Sequence, residues 1–265
     1  MRSYLGIFKM TFKGELQYRA KALSGVATQF FWGLMYVYLY TAFMGGKVID
    51  GFSISQMATY VWLGQAMFAM RYLGLPKHSV RDIETGNVCY KYVRPISLYD
   101  QWYAEYLGEK VSATMLRCLP ILIITLFLPS SVGMSLPVNF PAFLLFLVGI
   151  TIGFAMSVAF SMFAVYFSFI TMSGKGAQAV VSVIVGLFSG TLVPIPLMPA
   201  GLQKVLNYLP FRYISDLPFR IYIGNVGLRE GVIALAIGVL WLAGLILLGK
   251  LLIKSASRRV VVQGG

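Results

Sequence analysis

Charged residues make up only 12% of this 265-residue chain, about half the share of a soluble domain, which excludes an ordinary globular core. Histidine occurs once, as His78, so there is no second imidazole for a metal site. The better account of His78 is a solvated loop residue. Cysteine occurs twice, as Cys89 in a polar stretch and Cys118 in an apolar one, which gives no disulfide framework. No carboxylate falls in the middle of any long apolar run, so a proton or sodium relay has no carrier. Ser and Thr are scattered without a partnered base. The phosphate-cradling pattern G-x-x-x-x-G-K-[ST] is missing, so the chain has no such route to bind nucleotide. Catalytic, metal-dependent and ion-coupled functions all become poor readings.

What is present is oil: 58% of the residues are hydrophobic. A transmembrane helix needs about 20 mostly apolar residues, and the runs here predict an all-α membrane protein with six spans. They are expected at 22–44, 54–75, 101–128, 142–169, 179–193 and 231–252. Residues 1–21 are basic with a loose apolar stripe, which suits a helix lying flat at the headgroups, its lysines reaching anionic membrane lipid. They never build an uninterrupted apolar core, so no cleavable signal peptide is expected. The third span carries Glu105, Glu109, Lys110 and Arg117 in its first turns, so its lipid-buried part is expected from about Val111. Gly149-x-x-x-Gly153 and Gly186-x-x-x-Gly190 allow close helix approach, more readily inside one subunit than at a dimer seam.

With both termini on one side, seventeen Lys and Arg fall on that side and five on the other. That bias makes the richer side cytoplasmic. It also accounts for the net charge of +13, so no nucleic-acid partner is needed.

Two stretches stand apart from the spans. The first, residues 76–100, is charged and punctuated by Gly and Pro, and it lies in water between the second and third spans. RDIETGNVCYKYVRPI reads as a short amphipathic helix around Arg81–Thr85, a Gly86-Asn87 turn and a segment stopped by Pro95. Ile83, Val88, Tyr90 and Tyr92 offer apolar contact, while Arg81, Lys91 and Arg94 can pair with acidic groups. That mixture fits a docking surface or an ordinary solvated loop. The second stretch, residues 194–229, is too interrupted by prolines and charges to span. It predicts short helices dipping into the outer leaflet, or an aromatic belt at the interface.

The pattern I-E-x-G-x-x-x-x-x-x-V-R-P-I, formed by Ile83, Glu84, Gly86, Val93, Arg94, Pro95 and Ile96, resembles the cytoplasmic segment of ABC-2 type permeases. These are the membrane subunits of bacterial ATP-binding-cassette exporters. YLPFRYISDLPFRIYIGN, from Tyr208 to Asn225, is similar to that family's outer segment. Cys89-Tyr90-Lys91-Tyr92 departs from the leucine-rich run expected there.

The resemblance implies a permease of the bacterial cytoplasmic membrane, with two ABC ATPase subunits beneath it. It also implies a second permease, identical or a sister, facing this one. Arg81, Ile83, Glu84, Gly86, Asn87, Arg94 and Pro95 would form the coupling segment on the ATPase. Pro210, Phe211, Tyr213, Pro218 and Tyr222 would form an outer gate. The chain itself would carry no cofactor, with ATP and Mg on the partner. The cargo would be a hydrophobic or amphipathic compound such as a drug, antimicrobial peptide or lipid-linked molecule. A membrane adaptor that docks a soluble partner without transport is the alternative.

Overall fold

A computed structural model describes residues 2–17, 19–49, 51–71, 77–92, 96–129, 131–171 and 173–257. Among them every regular element is helical, apart from one bridge between Ile49 and Phe52. The chain opens with α1 (Arg2–Glu15) and α2 (Arg19–Met44), followed by α3 (Ile54–Ala66) and the single turn α4 (Phe68–Arg71). Two short helices, α5 (Lys77–Glu84) and α6 (Val88–Tyr92), lead into the long α7 (Leu98–Leu126) and α8 (Phe140–Thr171). After α9 (Gly174–Phe188) come α10 (Ala200–Tyr208) and α11 (Asp216–Tyr222), with 3-10 turns at Ile195–Leu197 and Pro210–Tyr213. The last element is α12 (Leu228–Ser257).

Two of the described helices, α8 and α12, are long and apolar enough by themselves to cross a bilayer. At 1.5 Å per residue each exceeds the ~30 Å hydrocarbon thickness. The run expected as the second span, broken by Arg71 near its end, is interrupted earlier, at Met67, whose N–H closes α3 on Leu63 and Gln65. Helix α9 begins at Gly174, earlier than its apolar run. It ends at Phe188 because Gly190 leaves the helical region with φ +77°.

Local chemistry sets the helix boundaries. Ser53 and Gln56 form a reciprocal cap: the Gln56 N–H donates to Ser53 Oγ (3.2 Å), and the Ser53 N–H donates to Gln56 Oε1 (2.9 Å). The same Gln56 amide donates to the Ile223 carbonyl at 3.1 Å, so one side chain both starts α3 and holds the far end of α11.

Contacts sort the connections onto two ends of the bundle. At one end, α1 lies along the start of α7, with the Tyr4 hydroxyl accepting from the Ser97 N–H at 3.0 Å. The last turns of α12 arrive there too, through a Lys250–Asp100 ion pair of 2.8 Å. At the opposite end, Val138 N–H donates to the Tyr222 carbonyl, and the hydroxyls of Ser55 and Ser135 meet at 2.8 Å. The polar block, the first helix and the last helical turns therefore share one end.

Helix α8 is central, touching α7, α9, α11 and α12. Its small residues let the segment after α9 fold back against it. A Cβ at Gly149 would stand 3.1 Å from Pro218, and one at Gly153 only 2.5 Å from the Ile214 carbonyl oxygen. The first glycine pair thus packs inside one chain. Gly153 lies about 20 Å along α8 from Phe140, so the segment reaches deep. Irregular backbone at that depth needs protein around it. Ile214, Leu217, Phe219 and Ile221 are all essentially buried.

Candidate functional site

The polar elbow is two short helices, α5 and α6, joined by a turn. Gly86 makes the corner in the left-handed region (φ +74°), and its N–H closes the end of α5 on the Ile83 carbonyl at 3.2 Å. Lys91 of α6 pairs with Asp82 of α5 at 2.6 Å and stands 5.7 Å over the Trp102 ring. Glu84 Oε1 accepts from the Gly174 N–H at 3.2 Å, tying α5 to the start of α9. Ile83 and Val88 point inwards onto a cluster containing Trp102, Tyr106 and Phe169.

This arrangement redistributes the residues expected to dock. Ile83 of α5 and Val88 of α6 are spent as internal anchors, because the turn at Gly86 lets both helices pack onto the cluster around Trp102; they offer no outer apolar surface. Lys91 is occupied by Asp82 within the chain, and Glu84 has a structural bond of its own. What remains outward is Arg81, Thr85, Gly86, Asn87 and Tyr90, with Tyr90 77% exposed. Arg94 and Pro95 lie outside the described residues.

At the opposite end the five expected gate residues come together as one packed body. Pro210 opens a 3-10 turn and is buried. Phe211 stacks on Phe160, with centroids 5.0 Å apart. Tyr213 fills the notch above Gly238, and Pro218 sits on Gly149. The Tyr222 hydroxyl donates to the Ser135 carbonyl at 3.2 Å, and its ring meets Phe146 edge-on. Asp216 lies at the heart of this body, fully buried. It accepts from the Tyr60 hydroxyl at 3.0 Å and faces the Arg220 guanidinium at 3.8 Å.

Between the two ends runs a feature that the sequence reading did not single out. A groove of about 720 Å³ opens along α2, floored by α3, α4 and α7 and walled by α9. Its lining mixes aromatic Trp32 with polar Thr28, Gln29, Gln65 and Ser182, and includes Arg117 from α7. The Arg117 guanidinium lies flat across Gly25: a Cβ there would stand 2.8 Å from Cζ. The available signals were Gln29 and Gln65 inside apolar runs, and an arginine seven residues beyond Lys110. Lys110 itself is buried, donating to the Met70 carbonyl (3.1 Å) and Ser157 Oγ (3.0 Å), so charge in α7 continues well into the bundle.

Two long apolar helices, a polar two-helix elbow at one end and a packed re-entrant body at the other make an all-helical arrangement among the described residues, consistent with an all-α membrane protein. The sequence model of the family described as ABC-2 family transporter protein matches residues 30–264. The chain belongs to that family and is an ABC-2 type permease, a transmembrane component of an ABC transporter. A comparison with curated proteins returned no match.

Proposed function

We propose that this permease is the membrane half of a bacterial exporter with six spans and both termini cytoplasmic. A separate ABC ATPase drives it through the elbow at residues 76–100. The observation that carries the reading is the construction of that elbow. Its apolar face is locked onto Trp102 and Phe169, its two helices are cross-linked by Lys91 and Asp82, and its corner presents Arg81, Asn87 and Tyr90 to water. A rigid mount with an exposed arginine and tyrosine suits a docking surface, where those residue types dominate binding energy. Because Glu84 bonds to the start of α9, a push on α5 reaches a wall of the groove directly.

In this reading two ATPase subunits, holding ATP and Mg, close beneath two permeases, which are copies or sisters. Closure selects an outward-open arrangement. The body containing Pro210, Phe211, Tyr213, Pro218 and Tyr222 acts as the outer gate, moving as one unit since its members are packed together. The cargo is a hydrophobic or amphipathic compound, and the groove along α2 and α9 is its wall on this subunit.

The test is co-purification with the ATPase from the native host. Arg81→Glu combined with Tyr90→Ala is expected to weaken pairing at least about tenfold, since Arg and Tyr are enriched among the few interface residues whose truncation costs about 2 kcal/mol or more. Both side chains are exposed, so thermal stability of the permease should not move. A pairing indifferent to both changes, in a chain that does bind an ATPase, removes the elbow from the interface. If no ATPase ever associates, the adaptor reading takes its place.

A further inference from the structure

We infer that the groove along α2 and α9 is a binding site for the anionic headgroup of an amphiphile, with Arg117 as its seat. Three observations converge on this.

The first is the position of the charge. Arg117 sits about 13 Å along α7 from its end at Leu126, within the membrane-embedded length of a permease. A cation at such depth is costly and marks a substrate path or a partnered site. Among the described residues Arg117 has neither an ion pair nor a hydrogen bond with another side chain. No Asp or Glu lies among the groove's lining residues, nor anywhere in α2 or α9. A second copy of this chain laying its own α2 or α9 over the groove would bring no carboxylate to neutralise it.

The second is that the seat is shaped. Gly25 removes the Cβ that would collide with the guanidinium, so its planar fork is held against α2 and not extended towards lipid. A planar fork matches the paired oxygens of a phosphate or carboxylate better than a point charge does. Gln29 lies on the same wall; it is 4% exposed and its amide oxygen has no hydrogen-bond partner among the described residues. That oxygen is an acceptor, so it meets an acidic headgroup only through a donor, the P–OH of a singly ionised phosphate or a bridging water.

The third is the change in chemistry along the groove. Beyond Arg117 and Gln29 the wall turns aromatic at Trp32 and Tyr36. From Ser24 to Tyr36 the lining covers about 18 Å of α2, the length of an alkyl chain of a dozen or so carbons. Charge at one end and, along the α2 side of the rest, aromatic surface in a lining interrupted by Gln65 and Thr191 fit an amphiphile with an acidic head. A free anion would leave the aromatic wall without a role. That the amphiphile is cargo rests on the exporter reading; that it binds does not.

The experiment uses the full chain in nanodiscs of zwitterionic lipid, reading Trp32 emission in a Trp241→Phe background. Trp62 and Trp102 are fully buried and give a constant background that the ligand does not reach. Dodecyl phosphate is expected to bind saturably. Arg117→Gln should weaken it about tenfold or more, as loss of a charge-assisted pair does, with Arg117→Lys in between. Gly25→Val, which occupies the guanidinium's seat, should act like Arg117→Gln. Dodecyltrimethylammonium and dodecyl maltoside should be unaffected by Arg117→Gln.

The inference is overturned if dodecyl phosphate does not bind the parent chain, or if all three amphiphiles bind alike and respond alike to Arg117→Gln. Inorganic phosphate binding as well as dodecyl phosphate overturns it too, because the site then reads a free ion. Co-purification of the ATPase with the Arg117→Gln chain should be unchanged. Loss of ATPase pairing in the parent chain would therefore sink the exporter reading and leave headgroup binding standing.

Discussion

Arg220→Ala is expected to lower the stability of the folded permease by about 3 kcal/mol, the low end of what breaking a buried charge pair costs. Asp216 is fully buried and faces Arg220 across 3.8 Å, while the Tyr60 hydroxyl donates to its other oxygen. Arg220 is itself aimed by Asn225, whose Oδ1 accepts from its Nε at 2.7 Å. Alanine leaves the carboxylate in a low-dielectric interior with its cation gone. Adding Asp216→Asn removes the charge yet keeps an oxygen for Tyr60, so the double variant should recover about half of the loss. Thermal unfolding in one detergent, run on the parent, the two single variants and the double, reads the coupling. An Arg220→Ala chain as stable as its parent would show that water reaches Asp216 and that the re-entrant body is loosely packed.

Gly153→Leu is expected to be the most damaging change along α8, again about 3 kcal/mol, at the upper end of overpacking. The obstacle is the Ile214 carbonyl oxygen, 2.5 Å from the added Cβ. A flexible side chain could swing away; this oxygen belongs to the backbone between a 3-10 turn and α11 and moves only if the body moves. The readout is accessibility. A cysteine at Leu217, which is 0% exposed, should resist a membrane-permeant maleimide in the Gly153 parent and react in the Gly153→Leu chain. Equal protection in both would mean that α8 does not hold the re-entrant body in place. Gly153→Ala should show the same effect in smaller degree, since it adds only the Cβ.

The two experiments bear on one mechanical question. If the re-entrant body is as firmly joined to α8 as Gly149, Gly153 and the Asp216 cluster indicate, the opening proposed above would be a rigid displacement of residues 210–222 together with α8. It is then not a loop peeling away by itself. The elbow, tied to α9 through Glu84 and anchored on Phe169 at the far end of α8, is placed to move those same helices.

Much of this was legible in the chain. Each apolar run, bounded by Gly, Pro or charge, corresponds to a helix or to a pair of helices within a few residues. The split of the second run at Met67 and the early end of α9 at Gly190 are the main departures. The glycine pair in α8 was read as packing within one subunit, and it meets Pro218 and Ile214. The elbow residues were found as a set, but their division of labour was not. Nothing local distinguishes Ile83, which is buried, from Tyr90, which is exposed; that depends on where Trp102 lies. Arg117 was counted as one more base near the inner end of a span, and the groove it lines was missed.

By itself the sequence determined the class of protein, the number and length of its apolar segments, and which end of the bundle collects the basic residues. These follow from transfer free energies and helix rise, which act residue by residue along one segment. Only the tertiary structure decided which polar groups meet. Tyr60 and Asp216, Arg117 and Gly25, Glu84 and Gly174 are far apart in the chain. Their encounters depend on how each helix is rotated about its own axis, and that rotation is set by close packing between helices, a property no single segment contains.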